Sequence, residues 1–118
     1  MKRIIIAEPN THILNHLEEK LKACGHIMVV ATAKDGGELL DKINEFNPDI
    51  VVTDEEMENL RGTDVLEKVQ EFENKPEFIF VTATHIPDIY QKLLKYNVRR
   101  YFMKPFDMDR LIEEIIKD

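Results

Sequence analysis

Four polar residues, each directly after a short predicted strand, have side chains that could do chemistry. They are Glu8 after Ile4–Ala7, Asp54 after Ile50–Thr53, Thr82 after Phe78–Val81, and Lys104 after Val98–Met103. The first three segments are apolar runs, which predict buried strands of a parallel sheet. The carboxyl ends of such strands meet at the edge where open α/β sheets bind their ligands. A carboxylate at that edge can act as an oxygen nucleophile or as a ligand for a hard cation.

Each of these four residues also has a simpler structural interpretation when it is taken alone. Glu8 could be a solvated carboxylate, Thr82 the first residue of a turn, and Lys104 an ordinary surface lysine. Asp54 could cap the turn or helix that follows it. Together the four residues favour a functional site, because parallel strands bring all of their ends to the same edge of the sheet. Asp54 is the central candidate, because three more carboxylates follow it closely: Glu55, Glu56 and Glu58.

Apolar residues at helical spacing follow each predicted strand, so that strands and helices alternate along the whole chain. The predicted strands are Ile4–Ala7, Ile27–Ala33, Ile50–Thr53, Phe78–Val81 and Val98–Met103. The apolar stripes of the helices begin at Ile13, Leu39, Val65, Ile89 and Leu111. Helix starts are indicated by Asn10 or Thr11, Asp35, Pro87 and Asp107. Strict alternation predicts an α/β fold, in which helices cover both faces of a parallel sheet.

The bulk properties of the chain limit its size class and its partners. Its 118 residues predict one domain, residues 1–118, and the formal net charge of -7 argues against direct nucleic-acid binding, which needs a basic surface. Cys24 is the single cysteine, so no internal disulfide can form and a reducing cytoplasm is the expected compartment. No apolar run approaches the roughly 20 residues that span a bilayer, and no signal-peptide pattern opens the chain. We therefore expect a cytoplasmic protein without a membrane partner.

Three motifs make the whole chain resemble the receiver domain of bacterial two-component response regulators, and the chemotaxis regulators in particular. The first is Asp54 with Gly62 eight positions later, and the second is Thr82-Ala83 after the fourth strand. The third and most specific motif runs from Tyr101 to Phe106 and contains Lys104-Pro105. The resemblance implies a flavodoxin-like (βα)5 fold, a three-layer sandwich around a five-stranded parallel sheet of order 2-1-3-4-5.

The resemblance also implies that Asp54 is a phosphoacceptor, which takes a phosphoryl group from a histidine kinase. A carboxylate is a competent nucleophile toward phosphorus, and the transfer needs in-line positioning and neutralisation of the charge on the phosphoryl oxygens. Lys104 would supply one positive charge, and the Thr82 hydroxyl would donate a hydrogen bond. Mg²⁺ would bind Glu8, Asp54 and the backbone carbonyl of Glu56. Such a domain catalyses its own phosphoryl transfer but is not an enzyme in the usual sense.

Tyr101, three residues before Lys104, stands at the switch-aromatic position of that family. As a structural residue it would pack its ring at the edge of the core and leave its hydroxyl in water. As a switch, its ring would move inward when Thr82 is drawn to the phosphoryl group, and would change the surface of the fourth helix, fifth strand and fifth helix. The implied partners are a sensor histidine kinase or phosphotransfer protein, an output domain or downstream protein, and a second copy of the chain bound through that surface.

The sequence departs from the family pattern after the first strand, at Pro9, and after Asp54, at Glu56 and Glu58. The family usually has two adjacent acidic residues where this chain has Glu8 and Pro9, so that a carboxylate which commonly binds the metal directly is missing. We therefore expect weak Mg²⁺ binding. Glu58 replaces a usual proline, and Glu56 stands where many members carry a neutral or hydrophobic residue. Either carboxylate could compensate for Pro9.

Two other functions are compatible with the same fold. A pseudo-receiver would act as a protein-interaction module that no longer accepts phosphate, and Pro9 is the feature that supports it. The combined presence of Asp54, Thr82 and Lys104 argues against a pseudo-receiver, because a scaffold has no physical need for all three. A flavin carrier would need a loop rich in Ser, Thr or Gly after the first strand. Here that loop begins with Glu8, whose carboxylate would repel a phosphate.

Overall fold

The computed structural model describes residues 1–83, 91, 93, 95–96 and 98–117. The strands are β1 (Lys2–Ala7), β2 (Ile27–Ala33), β3 (Ile50–Thr53), β4 (Glu77–Thr82) and β5 (Val98–Met103). The described helices are α1 (Thr11–Lys22), α2 (Gly36–Phe46), α3 (Gly62–Val69) and a C-terminal helix (Met108–Ile116). The predicted fourth helix, with Pro87 and Ile89, lies largely outside the described residues. No described helix has the length and apolar character that crossing a membrane would require.

All five strands form one parallel sheet in the order β2-β1-β3-β4-β5. This order confirms the predicted flavodoxin-like α/β fold. The order places β1 and β3 side by side at the centre, with β4 and β5 following on one side. As a result the carboxyl ends of β1, β3, β4 and β5 share one edge, where the four polar residues with possible chemistry are found.

Alternate residues of the central strands point to opposite faces of the sheet, so each strand contributes to two hydrophobic cores. In β1, Ile4 and Ile6 belong to the first core, whereas Ile5 and Ala7 belong to the second. The first core is completed by α1 and the C-terminal helix, and the second by α2 and α3. The helix residues of the first core are Leu14, Leu17, Leu21, Leu111 and Ile115. Those of the second core are Leu39, Ile43, Val65, Leu66 and Val69. Burial on both faces explains why these strands are near-continuous apolar runs.

Side-chain caps start three of the described helices, as the sequence predicts. The Asn10 side chain accepts a hydrogen bond from the backbone N–H of Ile13 at 3.1 Å. Asp35 and Asp107 accept equivalent bonds at 2.8 Å and 2.9 Å, from Glu38 and from Asp109. Each such cap satisfies a backbone donor that has no partner inside its helix and stabilises the fold by about 1 kcal/mol.

Element boundaries differ from the sequence prediction by a few residues. Thr82 is the last residue of β4 rather than the residue after it, because the β4–β5 pairing continues to Thr82 and Met103. The first helix ends at Lys22, before Gly25, and α3 ends at Val69. Phe72, predicted to lie in α3, still packs against the second core from the following turn. An apolar residue can therefore match the helical spacing without being in the helix.

The connection from β3 to α3 is held by unusually close packing around Gly62. A Cβ atom at Gly62 would lie 2.5 Å from the Asp54 carbonyl oxygen and 2.8 Å from a ring carbon of Phe80. The Gly62 N–H donates to the Glu55 carbonyl at 3.1 Å. Any larger residue at this position would push the loop that carries Asp54 away from β4. This steric requirement gives a physical reason for the Asp-to-Gly spacing in the sequence.

Candidate functional site

The Lys104 ammonium group lies between two carboxylates at the carboxyl edge of the sheet. Its Nζ donates to Glu8 Oε1 at 2.6 Å and to Asp54 Oδ2 at 2.8 Å. The backbone N–H of Lys104 donates to the Thr82 carbonyl at 2.8 Å, which continues the β4–β5 pairing past the end of β5. The Lys104–Pro105 peptide bond is cis. The structure thus brings together residues from the ends of β1, β3 and β5.

Both carboxylates are removed from solvent, and this burial changes the acidity of Asp54. Glu8 is 3% exposed and Asp54 is 6% exposed. Burial raises the pKa of Asp54 to about 6, and Lys104 opposes that rise. A hydrogen bond with the Glu56 carboxyl and the charge of Glu8 raise the Asp54 pKa further. Asp54 therefore remains mostly ionised at neutral pH but is more basic than an exposed aspartate.

The pKa of Lys104 reflects the balance between burial and its two partners. Burial disfavours the ammonium ion, whereas the hydrogen bonds to Asp54 and Glu8 favour it, and the net result is a raised pKa. The lysine consequently stays protonated over the physiological range. A permanent cation is thus held against Asp54.

Thr82 makes a different contact from the one that its predicted role requires. Its side chain is fully buried, and its Oγ1 donates a hydrogen bond to Glu56 Oε2 at 2.7 Å. Glu56 itself is exposed, and its backbone N–H donates to Asp54 Oδ1 at 3.3 Å. The Glu56 carboxylate thus connects the ends of β3 and β4. The sequence showed an additional carboxylate at position 56 but did not show that it accepts a hydrogen bond from Thr82.

Tyr101 is half-buried, and its ring packs against the second core. It lies opposite Phe80 in the β4–β5 pairing. Burial raises the pKa of the Tyr101 hydroxyl, and the negative charges of Glu56 and Glu55 raise it further. Tyr101 therefore lies at the edge of the core, and the negative charge of Glu56 acts on its hydroxyl. Its movement as a switch stays a prediction.

Glu55 has a structural role that the sequence analysis missed. Its carboxylate is buried and accepts hydrogen bonds from the Thr63 backbone N–H at 2.7 Å and from Thr63 Oγ1 at 2.8 Å. Burial raises the pKa of Glu55, and the two bonds from Thr63 oppose that rise. Glu55 thereby ties the loop after Asp54 to the first turn of α3. No local sequence pattern indicated this contact, because it depends on the direction of the Glu55 side chain.

The oxygen atoms at this edge suit a hard cation such as Mg²⁺. Glu8 and Asp54 each direct one carboxylate oxygen at the Lys104 ammonium group. Mg²⁺ also prefers oxygen ligands, and it usually keeps several bound waters. Over the described part of the chain, however, no three acidic, histidine or cysteine side chains are grouped as a metal site. Pro9 lies in an open groove of about 530 Å³, together with Glu55, Glu56, Met57, Glu58 and Arg61. The Glu8 and Asp54 oxygens are therefore ligands of the type that a hard cation binds.

We expect Asp54→Asn to stabilise the metal-free protein at neutral pH. A raised pKa in the folded state means that the contribution of Asp54 to stability is full below 3.8 and is lost as the pH rises through about 6. An asparagine avoids this loss, and Lys104 keeps Glu8 as its partner. The gain in free energy of unfolding at pH 7.5 should be on the order of 1–3 kcal/mol and should vanish near pH 3.5.

Urea unfolding of both proteins in EDTA, at several pH values, would measure this difference. Asp41→Asn, which removes the charge of an exposed aspartate of α2, is the matched control. A loss of stability in Asp54→Asn at pH 7.5 would contradict the prediction.

Comparison with known proteins identifies the family of this chain. The chain is similar to a DNA-binding response regulator of the LuxR family from Staphylococcus aureus, with 26% identity, a TM-score of 0.91, and coverage of 99% of this chain and 98% of the other. A CheY-like response regulator receiver domain protein from Methanospirillum hungatei is 28% identical, with a TM-score of 0.87 and coverage of 98% and 90%. The CheX-CheY-BeF3-Mg complex from Borrelia burgdorferi contains a chain that is 21% identical, with a TM-score of 0.87 and coverage of 98% and 87%. The sequence model of the response regulator receiver domain matches residues 4–116, and the chain therefore belongs to the response regulator receiver domain family.

Proposed function

We propose that Asp54 accepts a phosphoryl group from a phosphohistidine of a sensor kinase or phosphotransfer protein in the cytoplasm. An oxygen of the Asp54 carboxylate attacks phosphorus and forms the acyl P–O bond, while the P–N bond breaks. The electron pair of that bond stays on the ring nitrogen, and the imidazole leaves as a neutral ring with the proton that its other nitrogen already carries. The observation that carries the proposal is the Lys104 ammonium 2.8 Å from Asp54 Oδ2. A cation at this distance can neutralise a phosphoryl oxygen as charge is transferred.

Glu8, Asp54 and the backbone carbonyl of Glu56 would hold Mg²⁺ in this site. When bound, the ion would neutralise part of the charge on the phosphoryl oxygens. The related complex from Borrelia burgdorferi was solved with Mg²⁺ and a beryllofluoride group, which supports the same pairing here. Because Pro9 carries no carboxylate, one direct ligand of the usual pair is missing. We therefore infer weak Mg²⁺ binding.

Phosphorylation would be read out through Thr82 and Tyr101, on the neighbouring strands β4 and β5. Attraction of the Thr82 hydroxyl to the phosphoryl group would change the packing of Tyr101. The surface of the fourth helix, β5 and the C-terminal helix would then bind an output domain, a downstream protein or a second copy of the chain. The net charge of -7 supports protein partners over direct contact with nucleic acid.

A pseudo-receiver is the second candidate function. Pro9 favours it, and so does the hydrogen bond that already occupies the Thr82 hydroxyl. Lys104 and Asp54 favour the phosphoacceptor, because a buried carboxylate pair around a lysine is costly for a scaffold that does not use it. The two functions differ in what a small phosphodonor or a phosphoryl mimic does to the protein.

We expect Asp54→Asn to abolish phosphorylation by acetyl phosphate, because the amide cannot act as the nucleophile. Intact mass after incubation with acetyl phosphate and Mg²⁺ should show one added phosphoryl group on the wild type and on Asp41→Asn. It should show none on Asp54→Asn. Label that persists on another carboxylate in Asp54→Asn would show that Asp54 is not the acceptor.

Beryllofluoride should produce a response that extends beyond the residues it contacts. A ligand shifts a conformational equilibrium only through its different affinities for the two states. If the mimic favours the activated state, amide shifts in NMR spectra should run from Asp54 through Thr82 to Tyr101. Shifts confined to the neighbours of Asp54 would contradict the switch and support the pseudo-receiver.

Pro9→Asp should tighten Mg²⁺ binding by about tenfold, or ~1.4 kcal/mol, because it restores a carboxylate beside Glu8. The rate of phosphorylation by acetyl phosphate should rise as well. Calorimetric Mg²⁺ titration of both proteins measures the change, and Pro9→Asn, with a side chain of similar size and no charge, is the matched control. Equal affinities in wild type and Pro9→Asp would mean that a neighbouring glutamate already fills the position.

A further inference from the structure

The hydroxyl of Thr82 is bound to a carboxylate, although the proposed reaction needs it for a phosphoryl oxygen. Its Oγ1 donates to Glu56 Oε2 over 2.7 Å from a fully buried position at the end of β4. A hydroxyl has one proton to donate, and a bond to an ionised acceptor is among the stronger hydrogen bonds in a protein. A phosphoryl group on Asp54 would therefore compete with Glu56 for the same donor.

Glu56 is placed so that its hydrogen bond with Thr82 can break without a change in the core. Its side chain is exposed and lines the open groove that also contains Pro9 and Glu58. Its backbone stays beside the site, since the Glu56 N–H donates to Asp54 Oδ1 at 3.3 Å. Because the Glu56 side chain reaches solvent, a change of its rotamer would carry the carboxylate away from Thr82.

We propose that Glu56 is a positioning residue, which holds the Thr82 hydroxyl in the unphosphorylated protein and releases it when Asp54 carries a phosphoryl group. The inference rests on the proposed function, because release requires a group on Asp54 that competes for Thr82. The negative charges of the phosphoryl group and of Glu56 repel each other, which drives Glu56 toward the groove. The bond to Glu56 thus favours the unphosphorylated state and weakens the binding of a phosphoryl mimic.

The surroundings of Tyr101 support this role for Glu56. The negative charge of Glu56 contributes to the raised pKa of the Tyr101 hydroxyl. Glu56 therefore acts on both residues of the proposed switch, Thr82 directly and Tyr101 through its charge. Its release would change the environment of both at the same time.

Glu56→Ala and Glu58→Ala form a matched pair for the test, because each removes one carboxylate from the same groove and, of the two glutamates, Glu56 is the one that accepts a hydrogen bond from Thr82. Without any phosphodonor, the Thr82 methyl signal in a carbon–proton NMR spectrum should move in Glu56→Ala and stay unchanged in Glu58→Ala. Glu56→Gln, which keeps an acceptor oxygen, should return the signal toward its wild-type position. Beryllofluoride affinity should increase about tenfold in Glu56→Ala, since a hydrogen bond to a charged group is lost from the competing state.

A double-mutant cycle separates the bond to Thr82 from the effect of Glu56 on Asp54. In a Thr82→Ala background the donor is absent, so Glu56→Ala should change beryllofluoride affinity by less than about twofold. A tenfold gain that persists in this background would overturn the proposal, because Glu56 would then act on Asp54 alone. An equal gain in Glu58→Ala and Glu56→Ala would also overturn it, since the general charge of the groove would explain both.

The Thr82 methyl signal keeps the test independent of the proposed function. If no variant bound beryllofluoride, the proposed phosphoacceptor function would be contradicted. The methyl signal would still decide whether Glu56 holds Thr82. An unchanged methyl signal in Glu56→Ala would overturn the role of Glu56 whatever the affinities are.

Discussion

The buried carboxylates of Glu8 and Asp54 can share one edge of the sheet because the Lys104 ammonium lies between them, 2.6 Å from one and 2.8 Å from the other. Two carboxylates about 4 Å apart repel each other by roughly 4 kcal/mol at an effective dielectric constant of 20. Lys104 offsets this repulsion only if the ends of β1, β3 and β5 are in register. The strand order, the two cores and the β4–β5 pairing beside Lys104 together provide that register.

The loop after Asp54 needs a second kind of constraint, which is steric rather than electrostatic. Gly62 lets α3 approach the Asp54 carbonyl oxygen and the Phe80 ring, and Glu55 ties the same loop to Thr63. The position of Asp54 is thus fixed by β3, which directly precedes it, and by the first turn of α3, which packs against its carbonyl group. A side chain fixed in this way would lose little conformational entropy in the phosphoryl transfer that we propose.

Much of the fold could be predicted from the sequence, because its signals are local and repetitive. Buried strands such as Ile50–Thr53 are apolar on both faces, and the caps Asn10, Asp35 and Asp107 act within a few residues of their own position. The convergence of strand ends follows from parallel topology.

Other features of the site depend on side-chain directions in a loop, which no periodicity encodes. The sequence placed Glu56 near the site as a candidate metal ligand through its backbone, but its side chain reaches Thr82, which is 26 positions away. Glu55 was counted among the surplus carboxylates, yet its partner is Thr63. The sequence predicts the end of β4 at Val81 instead of Thr82, because threonine suits a turn as well as a strand. In each case the deciding contact joins residues that are not neighbours in the sequence, and their spacing follows no helical or strand period.

The separation of the two cores by the sheet also affects how such a domain can diverge. The first core joins α1 and the C-terminal helix to one face of the strands, and the second joins α2 and α3 to the other. Substitutions that repack one core reach the other only through the strand backbones, and distant changes of this kind are close to additive in free energy. The helices on one face can therefore drift in sequence, and acquire new binding preferences, while the packing that supports Gly62 and Asp54 on the opposite face stays intact.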